Sequence, residues 1–343
     1  MELNSITYEL LSNLFVSLGE KKYRAEQLFK FMHQQNGKSI QDLNLFSKDL
    51  RDTLSLNHKI DSIKILHKYN SKLDDTVKYL FLMEDNNIIE GVVMKYTHGY
   101  SMCISTQVGC KMGCSFCAST KEGLIRNLKV SEMVNQIYMA EEDQNIRISN
   151  IVLMGSGEPL DNYENVISFI RIINHEKGRN ISLRNIALST CGIVPKIYEL
   201  ADEMMPITLS ISLHSPFDDK RAEIMPIAKK YKLKDLMKSL KYYYEKTNRR
   251  ITFEYTVIEN VNDGEEEARE IAKLLNGLLA HVNLIALNPI KEFDKQRPSK
   301  KSVVLFQEKL IRLGIQTTIR AEKGSDISAS CGQLRRGVLN DLI

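Results

Sequence analysis

The sequence predicts an α/β protein built on a parallel sheet, doubly wound or barrel-like. Two observations carry this. From about residue 99, segments rich in β-branched residues alternate with segments of helical periodicity. Polar clusters, several with glycine, then fall where the strands stop, and parallel α/β folds bind ligands there.

The expected strands are 101–105, 149–154, 185–189, 207–213, 250–258, 281–287 and 316–320. Helices are expected at 131–142, 163–175, 234–245, 265–275 and 302–313. Residues 1–60 read as short helices. Ala25, Leu28, Phe29 and Met32 repeat at helical spacing, which makes 22–33 amphipathic, and 45–56 reads as another helix. Residues 62–69, 76–83 and 88–95 read as strands with turn signals between them. The expected division is a helical accessory region at 1–60, a small β-hairpin linker at 61–98 and a catalytic region at 99–343.

Length and composition fit this reading. The 343 residues suggest one large domain or about two. A hydrophobic share of 43% and a charged share of 26% argue against disorder. The first twenty residues lack a basic start and carry Glu2 and Glu9, so no secretory signal is expected. There is no apolar run of about 18 residues, so no membrane helix is expected. A cytoplasmic location follows as the expectation, and there clustered cysteines point to metal binding or catalysis rather than to structural disulfides.

Lys and Arg number 47 against 43 Asp and Glu, a net charge of only +4. Between Lys229 and Arg250, however, nine basic residues face only Asp235 and Glu245, a local +7 that leaves −3 for the other 321. A solvated helix face explains such a stretch as well as phosphate contacts do.

The six cysteines are Cys103, Cys110, Cys114, Cys117, Cys191 and Cys331. Cys110-Lys111-Met112-Gly113-Cys114-Ser115-Phe116-Cys117 follows an expected strand. Its three thiols can converge on one metal centre. Zinc would need Cys191, Cys331 or a histidine as a fourth ligand, and zinc sites usually come as two separated pairs. A four-iron cluster normally takes four cysteines, so three local ones leave one iron open for a substrate. The strand ends supply Gly155-Ser156-Gly157-Glu158, Ser189-Thr190-Cys191, Ser212-Leu213-His214-Ser215 and Asn288-Pro289. Glu158 can accept hydrogen bonds from a substrate ammonium. Cys331 lies in a small, polar setting that suits a reactive thiol.

With an aromatic residue just before its last cysteine, the loop is similar to that of the radical S-adenosylmethionine (SAM) superfamily. Glu90-Gly91-Val92-Val93-Met94, the run Cys103–Thr120, Gly157-Glu158-Pro159-Leu160, Ser212–Ser215, Met225-Pro226, Asn288-Pro289 and Cys331-Gly332-Gln333-Leu334-Arg335 together resemble the RlmN/Cfr RNA methyltransferases, and the RlmN branch most. Ser156, Ser328 and Ser330 depart from that family's usual methionine, aspartate and alanine.

The resemblance implies a partial (β/α)6 barrel with an N-terminal helical accessory domain. It implies methylation of adenosine carbon 2 in 23S rRNA, and in some relatives of adenosine 37 in tRNA. Cys110, Cys114 and Cys117 would hold one [4Fe–4S] cluster. Gly157, Glu158, Ser189, Ser212, Leu213, His214 and Asn288 would contact SAM, of which two are used per turnover. Cys331 would take a methyl group from one SAM. A 5′-deoxyadenosyl radical from the second would activate that methyl for addition to the base. Cys103 would release the product through a transient disulfide, and Glu90 would accept a proton. An electron donor such as flavodoxin or ferredoxin is implied, and a monomer is expected. Two other readings remain open: methylation of carbon 8, as in Cfr, and a non-catalytic metal-containing RNA-binding module.

Overall fold

The computed structural model describes residues 1–335, 337 and 338. Arg336 and the tail 339–343 of the expected catalytic region lie outside the described residues. The chain opens with helices α1 (Tyr8–Ser17), α2 (Lys22–His33) and α3 (Lys48–Asn57). The periodicity of α2 is explained by burial of Ala25, Leu28, Phe29, Met32 and His33. This face meets the rest of the protein: the His33 ring nitrogen Nδ1 bonds the Tyr138 hydroxyl at 3.0 Å, and Lys177 pairs with Glu26 at 2.6 Å.

Strands β1 (Lys64–Asn70), β2 (Thr76–Leu82) and β3 (Asn87–Tyr96) follow as an antiparallel meander. They continue the main sheet, because β3 also pairs antiparallel with β4 (Gly99–Cys103). Residues 88–94 of β3 are all buried, as befits an interior strand covered on both faces.

A two-stranded ribbon, β5 (Gln107–Gly109) with β6 (Leu124–Asn127), encloses the cysteine loop. The parallel array then alternates: α4 (Val130–Gln144), β7 (Ile148–Leu153), α5 (Tyr163–Asn174), β8 (Ile186–Thr190), α6 (Val194–Asp202) and β9 (Thr208–Ser212). Helices α7 (Asp218–Ile224), α8 (Ile227–Lys230) and α9 (Leu233–Thr247) separate β9 from β10 (Ile251–Val257). Then come α10 (Glu265–Leu274), β11 (Ala280–Ala286), α11 (Lys300–Arg312) and β12 (Thr317–Ile319). Last, β13 (Gly337–Val338) pairs with β3.

Strands β4, β7, β8, β9, β10, β11 and β12 lie side by side in chain order, every pair parallel. Sequential order with a helix in every crossover is the arrangement of a partial (β/α) barrel. Six strands make the expected barrel, and the three-residue β12 adds a short seventh at its edge.

The helices hold the outer layer by their apolar faces. In α5, Val166, Ile167, Phe169, Ile170, Ile172 and Ile173 are buried, each such side chain contributing about 1.5–3 kcal/mol. Among the described residues no helix is long and apolar enough to cross a membrane.

Candidate active site

The cysteine loop is shaped by backbone that only glycine tolerates. At Gly109, φ is +75° and a Cβ would sit 2.0 Å from the Gly123 carbonyl oxygen. The Cys110 N–H donates to that carbonyl at 3.0 Å and closes the loop at its base. Inside, the Thr120 hydroxyl donates to the carbonyls of Cys114 and Cys117 at 3.1 and 3.0 Å.

After β7 the chain turns through Gly157, where φ is +109° and a Cβ would sit 2.8 Å from the Gln107 nitrogen, which excludes a side chain. This presents Glu158, which is buried. Its carboxylate accepts from the Cys191 N–H at 2.8 Å and the Leu160 N–H at 3.0 Å. Burial pushes its pKa up, and these backbone donors oppose the rise. Ser156 is buried, with a hydroxyl that finds no partner among the described residues.

His214 has a left-handed φ of +55°. Its Nδ1 accepts from the Thr256 N–H at 2.9 Å, which leaves the proton on Nε2. Burial pushes its pKa down to about 3, so the ring is neutral. The Phe116 ring of the cysteine loop packs against it, with centroids 4.7 Å apart.

Cys331 reaches the same place on a loop tied down by distant elements. Its carbonyl accepts from Asn288 Nδ2 at 3.0 Å. The Ala118 N–H donates to the Gly332 carbonyl at 2.8 Å, and the Ser119 hydroxyl to the Leu334 carbonyl at 2.7 Å. Glu90 accepts from the Arg335 N–H at 2.9 Å and pairs with Lys78 at 3.2 Å. Ser330 donates to the Lys323 carbonyl at 3.1 Å, and Ser328 sits at φ +50°.

One cavity of about 150 Å³ unites most of these groups. Cys110, Cys114, Cys117, Gly157, Glu158, Ser189, Ser212, His214, Asn288 and Cys331 all line it. Three expected site residues lie outside its wall. Leu213 is fully buried, with its N–H on the Glu254 carbonyl. Glu90 stands behind the Cys331 loop. Cys103 ends β4 and packs against the cluster of Val92, Met94 and Leu334. All six cysteines are free thiols.

Two charged cavity residues were not among the expected site residues. Glu254 on β10 accepts from Asn283 at 2.8 Å. Arg320, just past β12, acts electrostatically on Cys331 first, then on Glu254 and Cys103. The strand-end rule, applied to the last strand as it was to the others, points at Arg320.

The donor set fits an iron–sulfur cluster. Burial pushes the Cys110 thiol up to about 12 and raises Cys114 and Cys117 as well, a cost that metal coordination removes by binding the thiolates.

A cysteine-loop cavity at the strand ends of a partial barrel defines a radical SAM protein. The Radical SAM superfamily model matches residues 104–275, and the chain belongs to that superfamily. A model for the ribosomal RNA large subunit methyltransferase N-terminal domain matches residues 1–60. The chain is 53% identical over 336 residues to a probable dual-specificity RNA methyltransferase RlmN of Alkaliphilus oremlandii, covering 98% of each. It is 50% identical to the protein of the same description from Clostridium novyi, again covering 98% of each. A crystal structure of a radical SAM methyltransferase from Sphaerobacter thermophilus superposes with a TM-score of 0.91 at 38% identity, covering 97% of this chain and 99% of that one. Within the superfamily, the chain belongs to the RlmN family of RNA methyltransferases. Membership implies a [4Fe–4S] cluster and SAM.

Proposed function

We propose that this protein methylates carbon 2 of an adenosine in 23S rRNA, and also adenosine 37 of tRNA, using two SAM molecules per turnover. The observation that carries this is the shared cavity: Cys331 lines the same wall as Cys110, Cys114, Cys117 and Glu158, although more than 170 residues separate it from them. The RlmN relatives are described as dual-specificity RNA methyltransferases, which supports both RNA classes.

Carbon 2 of adenine is electron-poor and cannot attack a sulfonium methyl as a thiolate can. Cys331 therefore takes the methyl first: its thiolate sulfur attacks the methyl carbon of one SAM, and S-adenosylhomocysteine leaves. Arg320 lines the cavity together with Cys331. Cys110, Cys114 and Cys117 would hold the cluster, which supplies the electron for cleaving a second SAM. Gly157, Glu158, Ser189, Ser212, Leu213, His214 and Asn288 form the SAM site. Glu158 receives the SAM ammonium, and neutral His214 offers Nε2–H as a donor. Glu90 accepts the proton lost from the base. The Cys331 methyl would lose a hydrogen atom to the 5′-deoxyadenosyl radical and its carbon would bond carbon 2, the adduct giving up one electron along with that proton. The Cys103 thiolate would then attack the Cys331 sulfur and break its bond to that carbon, which takes a proton to become the product methyl, leaving a transient Cys103–Cys331 disulfide.

The reading divides the chain into an RNA-binding accessory region at 1–60, a linker at 61–98 and the catalytic region at 99–343. It includes a one-electron donor such as flavodoxin or ferredoxin, a monomeric state and a cytoplasmic location.

The test is anaerobic purification followed by peptide mass analysis. Absorption near about 400 nm from thiolate-bound iron and a methyl adduct on Cys331 are expected. A colourless, zinc-loaded protein with unmodified Cys331 would favour the non-catalytic module.

A further inference from the structure

Arg221 is the most deeply buried cation among the described residues, with 1% of its surface exposed. It projects from α7. Its Nε donates to the Leu213 carbonyl at 3.1 Å, and Nη2 donates to the carbonyls of Cys191 at 2.8 Å and Ser212 at 3.0 Å. All three carbonyls sit where β8 and β9 end. Among the described residues no carboxylate forms an ion pair with it. Asp218, three residues earlier, accepts from the Leu233 N–H at 2.8 Å instead.

A guanidinium cannot shed its proton in a protein, and a buried charge without a partner is costly. Three carbonyl dipoles offset part of that cost. The rest points toward sulfur. Cys110, Cys114, Cys191 and Met225 pack together at this spot, with Ile224 and Ile227 against them. Arg221 acts electrostatically on Cys191 and Cys114 more strongly than on Asp218. On Cys114, it is the one cation that acts appreciably. Lys121 acts on Cys117, but its ammonium is exposed, on the Ser115 carbonyl at 2.8 Å, where water screens it.

We propose that Arg221 is the counter-charge of the iron–sulfur site and the clamp that fixes the ends of β8 and β9 beneath it. The proposal rests on the reading of Cys110, Cys114 and Cys117 as cluster ligands. A four-iron cluster on three thiolates is an anion, and gaining an electron makes it more negative. Net charge is among the determinants of such potentials. A fixed buried cation beside Cys114 therefore favours the reduced form. By holding the carbonyls of Ser212 and Leu213, the same side chain positions the SAM wall without touching SAM.

The test compares anaerobically reconstituted wild type, Arg221→Lys and Arg221→Met. Midpoint potentials come from redox titration followed by electron paramagnetic resonance, without SAM. SAM affinity comes from equilibrium dialysis. Arg221→Met is expected to shift the midpoint to more negative potential and to weaken SAM binding severalfold. Arg221→Lys keeps the charge but cannot span three carbonyls, so its midpoint should stay near wild type while SAM binding still weakens. A purely structural role would not separate the two variants in this way. Arg221→Met carrying a full cluster at the wild-type midpoint would overturn the proposal. If Arg221→Met fails to load, Arg221→Lys decides: loading at the wild-type midpoint supports the counter-charge, and equal failure with intact circular dichroism overturns it. Wild type that binds no cluster would sink the parent reading and this one with it, before any variant is made.

Discussion

Asn288 holds Cys331 by its main chain: the Asn288 side-chain amide donates to the Cys331 carbonyl at 3.0 Å. This joins the end of β11 to a loop whose thiol faces the cysteine cavity. Losing one such bond costs about 0.5–1.5 kcal/mol. Asn288→Ala should therefore lower kcat by up to about tenfold with little change in thermal stability. Single-turnover assays with saturating RNA and SAM check this. A kcat equal to wild type would remove Asn288 from the positioning of Cys331.

Cys103 is free, and burial pushes its thiol up to about 12. Arg320 opposes that rise, and its charge also acts on Cys331. If Cys103 resolves the covalent intermediate, Cys103→Ala should accumulate a protein–RNA crosslink, seen as a retarded band on a denaturing gel. Normal turnover by this variant would contradict the resolving role.

The basic stretch folds into α8 and α9, and Lys229, Lys230, Lys232, Lys234, Lys238 and Lys241 are all exposed. None of the six pairs with a carboxylate among the described residues, so they are available to phosphates. Lys234→Glu, Lys238→Glu and Lys241→Glu together should weaken RNA binding and reduce the slope of log K against log salt by up to about 3. Gel-shift titrations at several salt concentrations measure both. An unchanged slope would take this face out of the RNA interface.

His33 links the N-terminal helices to α4 and stays neutral, its pKa pushed down to about 3 by burial. In the unfolded chain it titrates near 6.5. As pH falls from about 6.5 toward 3, the unfolded chain takes up a proton that the folded one refuses, so stability falls. The slope approaches about 1.4 kcal/mol per pH unit. His33→Gln should unfold at a urea midpoint less sensitive to pH between 7.5 and 5.5 than wild type. Identical pH dependence in the two proteins would rule out this linkage.

The parallel array was legible because each strand is a short β-branched run ending in polar residues. Its mouth was legible for the same reason: Glu158, Ser212, His214 and Asn288 are conspicuous at strand ends. The meander at 64–96 was recognised as strands, but its place in the main sheet was not. β3 and β4 form a tight hairpin with Tyr96 opposite Gly99, but its turn residues Thr97 and His98 are not those that signal a two-residue hairpin. The ribbon of β5 and β6 is too short and glycine-bounded to register as a period. Arg221 sits in an ordinary charged helix, and only burial under β8 and β9 sets it apart from its neighbour Lys220, which reaches Glu267 at 2.6 Å. Arg320 was visible as a strand end but carried no motif.

The most direct test of the central claim is mass spectrometry of nucleosides from RNA incubated with the reconstituted enzyme, SAM and a reductant. The account predicts 2-methyladenosine from wild type and none from Cys331→Ala. Production of 8-methyladenosine by wild type, or of any methyladenosine by Cys331→Ala, would contradict it.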